Sequence, residues 1–234
     1  MNSKYLYLSI DLLSVIVPFI SSFYSKAPFY KKWKFLGWST LITATVFIVW
    51  DEIFTRIGVW GFNPEYLTGY YFFSLPIEEV LFFFCIPYAC VFTYEALNYA
   101  FKKEDIFSKN NILSFILIIV LLIGGLLNLQ RWYTSVTFIV LAVLLAYLTI
   151  KVKPTYMGRF YLSFLVTLLP FLIVNGILTG SFIEGEVVWY NDHENLDIRI
   201  GTIPLEDMFY GMLLILMNIS IFEWLQVRDK TIIS

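Results

Sequence analysis

Apolar residues run through this chain in stretches too long for the core of a soluble domain, with polar residues confined to the gaps between them. Crossing a bilayer takes about 17–25 such residues in a helix. Seven stretches fit, over approximately residues 5–24, 35–54, 77–98, 112–128, 134–150, 159–180 and 205–226. The pattern predicts an all-α integral membrane protein with about seven transmembrane helices. Spans four and five are short and closely spaced. The first span carries Asp11 and no small-residue cleavage site follows it, so it is expected to be a retained helix rather than a signal peptide.

Basic residues collect on the cytoplasmic side of membrane proteins. Lys26, Lys31, Lys32 and Lys34 follow span one; Lys102, Lys103 and Lys109 follow span three. Lys151, Lys153 and Arg159 follow span five, and Arg228 and Lys230 follow span seven. That puts 12 of the 16 basic residues on one side, against Lys4, Arg56, Arg131 and Arg199 on the other. The expected placement is multi-pass in the cell membrane, N-terminus outside and C-terminus cytoplasmic. The acidic loop with Glu184, Glu186, Asp192, Glu194 and Asp197 then faces outward.

Composition agrees. Of 234 residues, 59% are hydrophobic and 15% charged, with a mean hydropathy of +0.74. Soluble chains hold roughly 45–50% and about 25%, so a soluble enzyme is excluded, and disorder with it. A net charge of −2 and scattered basic residues offer nothing to nucleic acid. Cys85 and Cys90 share one apolar run and suggest no disulfide framework.

The chain also repeats itself. Ser74-Leu75-Pro76-Ile77-Glu78-Glu79 opens span three, and Thr202-Ile203-Pro204-Leu205-Glu206-Asp207 opens span seven. Asn63 lies 13 residues before Pro76 and Asn191 lies 13 before Pro204, each preceded by a tryptophan, Trp60 or Trp189. Glu95 and Glu223 each lie 19 residues after their proline. Landmarks at fixed offsets point to duplication. An odd span separates two three-helix units, so the copies run the same way and are expected as parallel repeats. The boundaries predicted are 1–101 for the first repeat, with three spans, and 102–234 for the second, with an extra linking span.

Each proline is expected in the first turn of its helix, with the Ser74 or Thr202 hydroxyl capping free N–H groups. The acidic pairs then sit at the helix starts, where acids commonly stabilise by about 0.3–1 kcal/mol. Two adjacent acids, repeated and followed by apolar residues, point further. Ionisable groups within a span are expensive and face a bundle interior. A like-charged pair near a helix N-terminus can keep one proton between two carboxyls, so that one acts as acid and the other as base. Glu78, Glu79, Glu206 and Asp207 are therefore candidate catalytic residues. Asp51 and Glu52 end span two at the same expected depth, and Asn175 lies near the end of span six; Asp51 and Asn175 are candidate supporting polar groups. Glu95 and Glu223 lie about 25 Å along the helix, too far to join the site, and are expected to pair with Lys102 or Arg228. Asp11, a turn or two inside span one, is ambiguous.

Aromatics make up 20% of the chain. Phe72, Phe73, Phe82, Phe83, Phe84, Phe209 and Tyr210 flank the acidic pairs. Ring faces stabilise desolvated cations by about 2 kcal/mol, so Phe82, Phe83, Phe209 and Tyr210 are candidates to contact substrate or to stabilise a carbocation formed from an apolar alkene. Simple packing and interfacial belts are the competing explanation. No GxGxxG follows a strand, so neither flavin nor nicotinamide is expected. His193 is the only histidine and there is no cysteine cluster, so no metal site is expected. No lysine lies within a span to form a retinal Schiff base, and no paired aspartate motif supports magnesium-diphosphate binding. Asn218-Ile219-Ser220 fits a glycosylation pattern but falls inside span seven.

Pro76-Ile77-Glu78-Glu79, Phe82-Phe83-Phe84, Pro87-Tyr88 and Tyr94-Glu95 resemble the signature of the heterodimer-type lycopene cyclases of carotenoid synthesis. Pro204-Leu205-Glu206-Asp207-Met208-Phe209-Tyr210-Gly211 resembles that of the second subunit, and the chain resembles the fused form over nearly its whole length. The resemblance implies Glu78, Glu79, Glu206 and Asp207 as catalytic carboxylates and an isomerisation with no net redox. An acid protonates a linear end group at C2, the C5=C6 bond closes a six-membered ring on the C1 cation, and a base removes a proton from C6 (β ring) or C4 (ε ring). It implies an intramolecular lyase without cofactors. The partners implied are a lycopene-like carotenoid from the bilayer, the lipid itself and other carotenoid-synthesis enzymes. A carotenoid hydratase, which quenches the same cation with water, and a proton-coupled transporter remain as alternatives.

Overall fold

In lipid, backbone N–H and C=O groups must be satisfied within the chain, which makes helices the solution for long apolar runs. The computed structural model describes residues 3–101 and 112–233. Among the described residues it has seven α-helices: α1 (Leu6–Ser21), α2 (Trp33–Arg56), α3 (Ile77–Ala100), α4 (Ile112–Leu127), α5 (Trp132–Ala146), α6 (Met157–Leu178) and α7 (Leu205–Ile233). Each falls on a predicted stretch. Five helical runs are long and apolar enough to cross a membrane: Phe29–Arg56, Ile77–Ala100, Trp132–Val152, Met157–Leu178 and Leu205–Asp229. α1 and α4 are shorter than predicted, with 16 residues each, or about 24 Å of helix. α5 gains length from a π-helical run, Tyr147–Val152, which stops at Lys153 in the left-handed region with φ 51°. Lys102, Lys103, Lys109 and the expected repeat boundary at residues 101–102 lie outside the described residues.

The outward helix faces remain apolar. Leu165, Leu169 and Ile173 recur at helical spacing on α6 and are all exposed, as are Ile116, Ile119, Val120 and Ile123 on α4. Water would penalise such contiguous apolar surface, whereas lipid does not. The chain is a multi-helix membrane protein.

By internal contacts the residues form two compact units. One comprises residues 1–56, 63–103 and 214–234, and the other 57–62 and 104–213. α7 thus gives its first turns to the second unit and the remainder to the first.

In the first unit, α3 packs along α1 and α2. Phe47, Phe83, Tyr94 and Phe222 are fully buried there. Asn218 of α7 is buried too; it accepts from the Ser39 hydroxyl at 3.0 Å and donates to Thr40 at 3.2 Å. That clamp of α7 to α2 leaves no role for Asn218 as a glycan acceptor. In the second unit, α4 and α5 form the closest helix pair. Gly124 and Gly125 permit it. A Cβ on Gly125 would come within 2.8 Å of Ile139 Cγ1, and one on Gly124 within 3.1 Å of Phe138. Small residues let helix backbones approach in this way in membranes.

Short strands decorate the helix ends. β1 (Trp60–Phe62) pairs antiparallel with β4 (Val188–Tyr190), both in the second unit, with Gly61 opposite Trp189. β2 (Tyr71–Phe72) and β3 (Leu75–Pro76) form a two-residue hairpin ahead of α3, and β5 (Arg199–Ile200) and β6 (Ile203–Pro204) form another ahead of α7. Trp60 and Trp189 are not equivalent landmarks. The duplication places each residue 128 positions from its counterpart, as Glu78 and Glu206 show, so Trp189 matches Gly61. A one-residue slip on a strand flips the face, and Trp60 is buried while Trp189 is exposed.

Candidate active site

The two hairpins share one register. Tyr71 faces Pro76 and Phe72 faces Leu75; Arg199 faces Pro204 and Ile200 faces Ile203. The turn residue is left-handed in both, Phe73 at φ 55° and Gly201 at φ 65°. Four residues further upstream the chain bends through a second left-handed residue, Gly69 at φ 91° and Asp197 at φ 57°. The helix-opening N–H groups are then held alike, Ile77 to the Tyr70 carbonyl at 2.9 Å and Leu205 to the Ile198 carbonyl at 2.8 Å. Asn63 and Asn191 start both loops with the same turn, each accepting through its side chain from the N–H two residues on, at 3.1 Å.

The proline is the residue before each helix rather than its first turn. Pro76 closes β3 with ψ 149°, and α3 has no side-chain cap. The Thr202 hydroxyl bonds Thr179 at 2.7 Å and Ser181 at 2.8 Å instead of capping α7. What occupies the helix start is the carboxyl pair itself.

In the first unit, Glu78 and Glu79 are buried, at 0% and 8% exposure. The N–H of Thr68, beside the left-handed Gly69, donates to Glu78 Oε1 at 2.7 Å. Glu78 Oε2 is buried with no hydrogen-bond partner. The Tyr7 hydroxyl, from α1, donates to Glu79 Oε2 at 2.5 Å. Asp51 is buried in the same surroundings, within electrostatic reach of Tyr7. Glu52 turns away, pairing with Arg56 at 2.5 Å and accepting the Ser74 N–H at 3.0 Å; it anchors the hairpin.

The second unit repeats the arrangement. Glu206 and Asp207 are 0% and 4% exposed. The N–H of Leu196, beside the left-handed Asp197, donates to Glu206 Oε1 at 2.8 Å, and the Thr134 hydroxyl joins it at 2.5 Å. Glu206 Oε2 is buried without a partner. Asp207 accepts from the Tyr133 hydroxyl on α5, from Asn175 at 2.6 Å and from Tyr190 at 2.9 Å. Each pair therefore contains one carboxyl hung on a backbone amide with its second oxygen open, and one gripped by a tyrosine.

The rings divide. Phe82 and Phe83 stand by the first pair, Phe82 edge-on to Tyr7 at 6.3 Å and Phe83 against Phe47 at 6.0 Å. Tyr210 stands edge-on to Trp60 at 6.0 Å and to Tyr133 at 6.1 Å, and Tyr133 stacks on Tyr190 at 5.8 Å, an aromatic box around Asp207. Phe209 packs on Phe138 at 5.0 Å. Phe72, Phe73 and Phe84 are exposed and belong to neither set.

Glu95 and Glu223 lie away from the pairs, near the other end of α3 and well down α7. Glu95 forms a salt bridge with Lys32, and its expected partner Lys102 lies outside the described residues; Glu223 accepts from the Tyr94 hydroxyl rather than pairing with Arg228, which lies over the Trp224 ring. A cleft of about 1300 Å³ opens beside Lys32 and Glu95, lined by Tyr24, Phe29, Phe92 and Tyr99. Neither carboxyl pair lines it.

Outside the helices, Asp192 and Arg199 brace the loop that presents Leu196, at 2.5 Å. Partial burial pulls the Asp192 carboxyl upward, but hydrogen bonds from Arg199 and Asn195 and the Arg199 charge outweigh it and hold the group below its ordinary value.

Tyr7, Tyr133, Thr134, Tyr190 and the Thr68 and Leu196 amides were not predicted. The signal was present for two: Tyr7 and Tyr133 each open a span two ahead of an acidic pair.

The family model described as lycopene cyclase matches residues 4–97 and 130–225, one segment for each copy of the motif. No curated protein and no solved structure matches the chain.

Proposed function

We propose, for a chain that belongs to the lycopene cyclase family, that it converts the linear end groups of lycopene to six-membered rings within the membrane, by acid-initiated chemistry with no net redox change. The observation behind this reading is the twice-built carboxyl pair, buried at a helix start and held differently at its two members. A carboxylate that accepts several donors is stabilised as an anion. Asp207, with three donors, is suited to be the base, and Glu79 with Tyr7 corresponds to it. Glu78 and Glu206, each with a buried Oε2 open, are suited to carry the proton. Environments that separate two carboxyls in this way assign acid and base within a pair.

In this reading the acid delivers its proton to C2, the C5=C6 bond closes on the C1 cation, and the anion takes the proton from C6 or C4. The neighbouring rings Phe82 and Tyr210 face the cationic stages, where electrostatic stabilisation does most of the work. The substrate is a lycopene-like carotenoid that enters from lipid, and other carotenoid-synthesis enzymes in the same membrane would supply it. The orientation proposed, N-terminus outside and C-terminus cytoplasmic, rests on the basic-residue asymmetry.

Expression in lycopene-making bacteria tests the reading, with pigment analysis by chromatography and mass spectrometry. Cyclic products of unchanged mass are expected, and purified protein pre-equilibrated in heavy water, without added flavin or nicotinamide, should place deuterium at C2 of the first ring it closes. A hydroxyl at C1 without a ring would make the protein a hydratase. Unaltered lycopene would end the cyclase reading.

A further inference from the structure

Asp11 has no part in the reading above, yet it is the most awkwardly placed acid in the first unit. It lies one helical turn beyond Tyr7 on α1, so the two side chains share a face. Tyr7 fixes where that face points, because its hydroxyl reaches Glu79. Asp11 is 0% exposed, and both its oxygens are buried without a hydrogen-bond partner. It is close enough to Glu79 and Glu78 for their charges to interact. Among the described residues no group of three or more such side chains draws together to hold a metal ion.

An ionised carboxylate buried without donors or a counter-charge is too costly to persist; it takes up a proton instead. A protonated Asp11 has an O–H to give; neither Glu78 nor Glu79 is hydrogen-bonded to it in this structure, so the proton passes when the Asp11 side chain swings toward one or the other. The second unit lacks this group. Tyr133 occupies the place of Tyr7, and one turn on stands Thr137, which cannot carry a proton between carboxylates.

The need for such a carrier follows from the proposed cycle, on which this inference rests. After one ring closes, Glu78 has lost its proton to C2 and Glu79 has gained one from the ring. The pair must be reset. We propose that Asp11 is the proton relay of the first unit, a positioning and transfer group that returns the proton from Glu79 to Glu78 between turnovers. Asp11 gives its O–H proton to the Glu78 carboxylate and takes the proton from Glu79. All three groups return to their starting states, with no proton consumed and no oxidant or reductant involved.

The test uses the full chain in lipid vesicles. Asp11→Asn keeps the size of the side chain but cannot release a proton. With enzyme in excess over lycopene, the first turnover should keep its rate, while steady-state turnover falls on the order of 10²-fold, the lower end of what a positioned proton donor contributes. The infrared difference spectrum, wild type minus Asp11→Asn, should show one carbonyl band of a buried protonated carboxyl, shifted in heavy water, over and above those of Glu78 and Glu206; the band should return displaced in Asp11→Glu, with partial recovery of turnover. An unchanged steady state overturns the relay, as does an equal loss in the first turnover. A wild-type minus Asp11→Asn difference spectrum that lacks such a band overturns it whatever the activity. If Asp11→Asn fails to accumulate, an undisplaced band in Asp11→Glu overturns it instead. Wild-type protein that forms no rings sinks the cyclase reading, while the band still reports whether Asp11 holds a proton.

Discussion

Replacing Tyr133 with phenylalanine removes one oxygen and little else. The ring should stay where it is, stacked on Tyr190 at 5.8 Å and edge-on to Trp60 at 5.0 Å. The backbone is held by the Tyr133 N–H to the Glu194 carbonyl at 2.9 Å, which the change does not touch. What goes is the hydroxyl that donates to Asp207 Oδ1, leaving Asn175 at 2.6 Å and Tyr190 at 2.9 Å, both on Oδ2. A hydrogen bond to a charged group is worth about 1.5–3 kcal/mol. If Asp207 works as an anion, that loss corresponds to about a 10- to 150-fold lower rate. The assay is the initial rate of lycopene loss in vesicles, with protein folding followed in parallel by thermal melting. Tyr190→Phe should cost less, since its bond is longer and less buried. A Tyr133→Phe enzyme at wild-type rate would refute the anionic role for Asp207. A larger loss in Tyr190→Phe than in Tyr133→Phe would refute the geometry offered for it.

Glu78→Gln and Glu206→Gln should each slow ring formation on the order of 10²–10⁴-fold, while Glu95→Gln, which loses the ion pair with Lys32 away from both carboxyl pairs, should be far milder in the same pigment assay. Near-normal product from both of the first two variants would reduce the pairs to helix-start decoration. Gly61→Ala should lower the melting temperature, because its Cβ would stand 2.3 Å from Trp189 Cζ2; overpacking of this kind costs about 1–3 kcal/mol, and an unchanged melt would contradict the β1–β4 pairing. Asp192 is held below its ordinary value, so its contribution to the loop is present above the usual carboxylate range and is lost as pH falls through the lowered value. Hydrogen exchange at the Leu196 amide should therefore quicken on acidification, and in Arg199→Ala it should already be quick at neutral pH; exchange indifferent to both would disprove the brace.

Much of this was legible in the sequence because a bilayer imposes a simple rule on it. Apolar runs of sufficient length had to be helices, and α2, α3, α5, α6 and α7 fall where the pattern puts them. The acidic pairs were visible because two like charges beside a proline are rare in such a chain and occur twice at one offset. The groups that hold the pairs were hidden for a definite reason. Tyr7 and Tyr133 are 126 residues apart, whereas the motifs are 128 apart, so they fall out of register when the copies are laid over each other. Amides such as those of Thr68 and Leu196 belong to the backbone and have no letter in the sequence. Proximity in sequence misled elsewhere. Phe72 and Phe73 adjoin the first pair along the chain, but the left-handed turn at Phe73 directs them outward.

The pairing of β1 with β4 also sets a timetable for synthesis. Trp60 leaves the ribosome 130 residues before its partner Tyr190. At about 5–20 residues per second the delay is roughly 6–26 s. The Tyr7 and Thr68 donors to Glu79 and Glu78 are made before the pair itself. The surroundings of Asp207 need a strand translated early and residues translated late. Nascent chains halted before residue 188 should therefore already hold the Tyr7–Glu79 and Thr68–Glu78 hydrogen bonds and leave Trp60 without its partner strand, where a translocon-associated chaperone has its longest opportunity to bind.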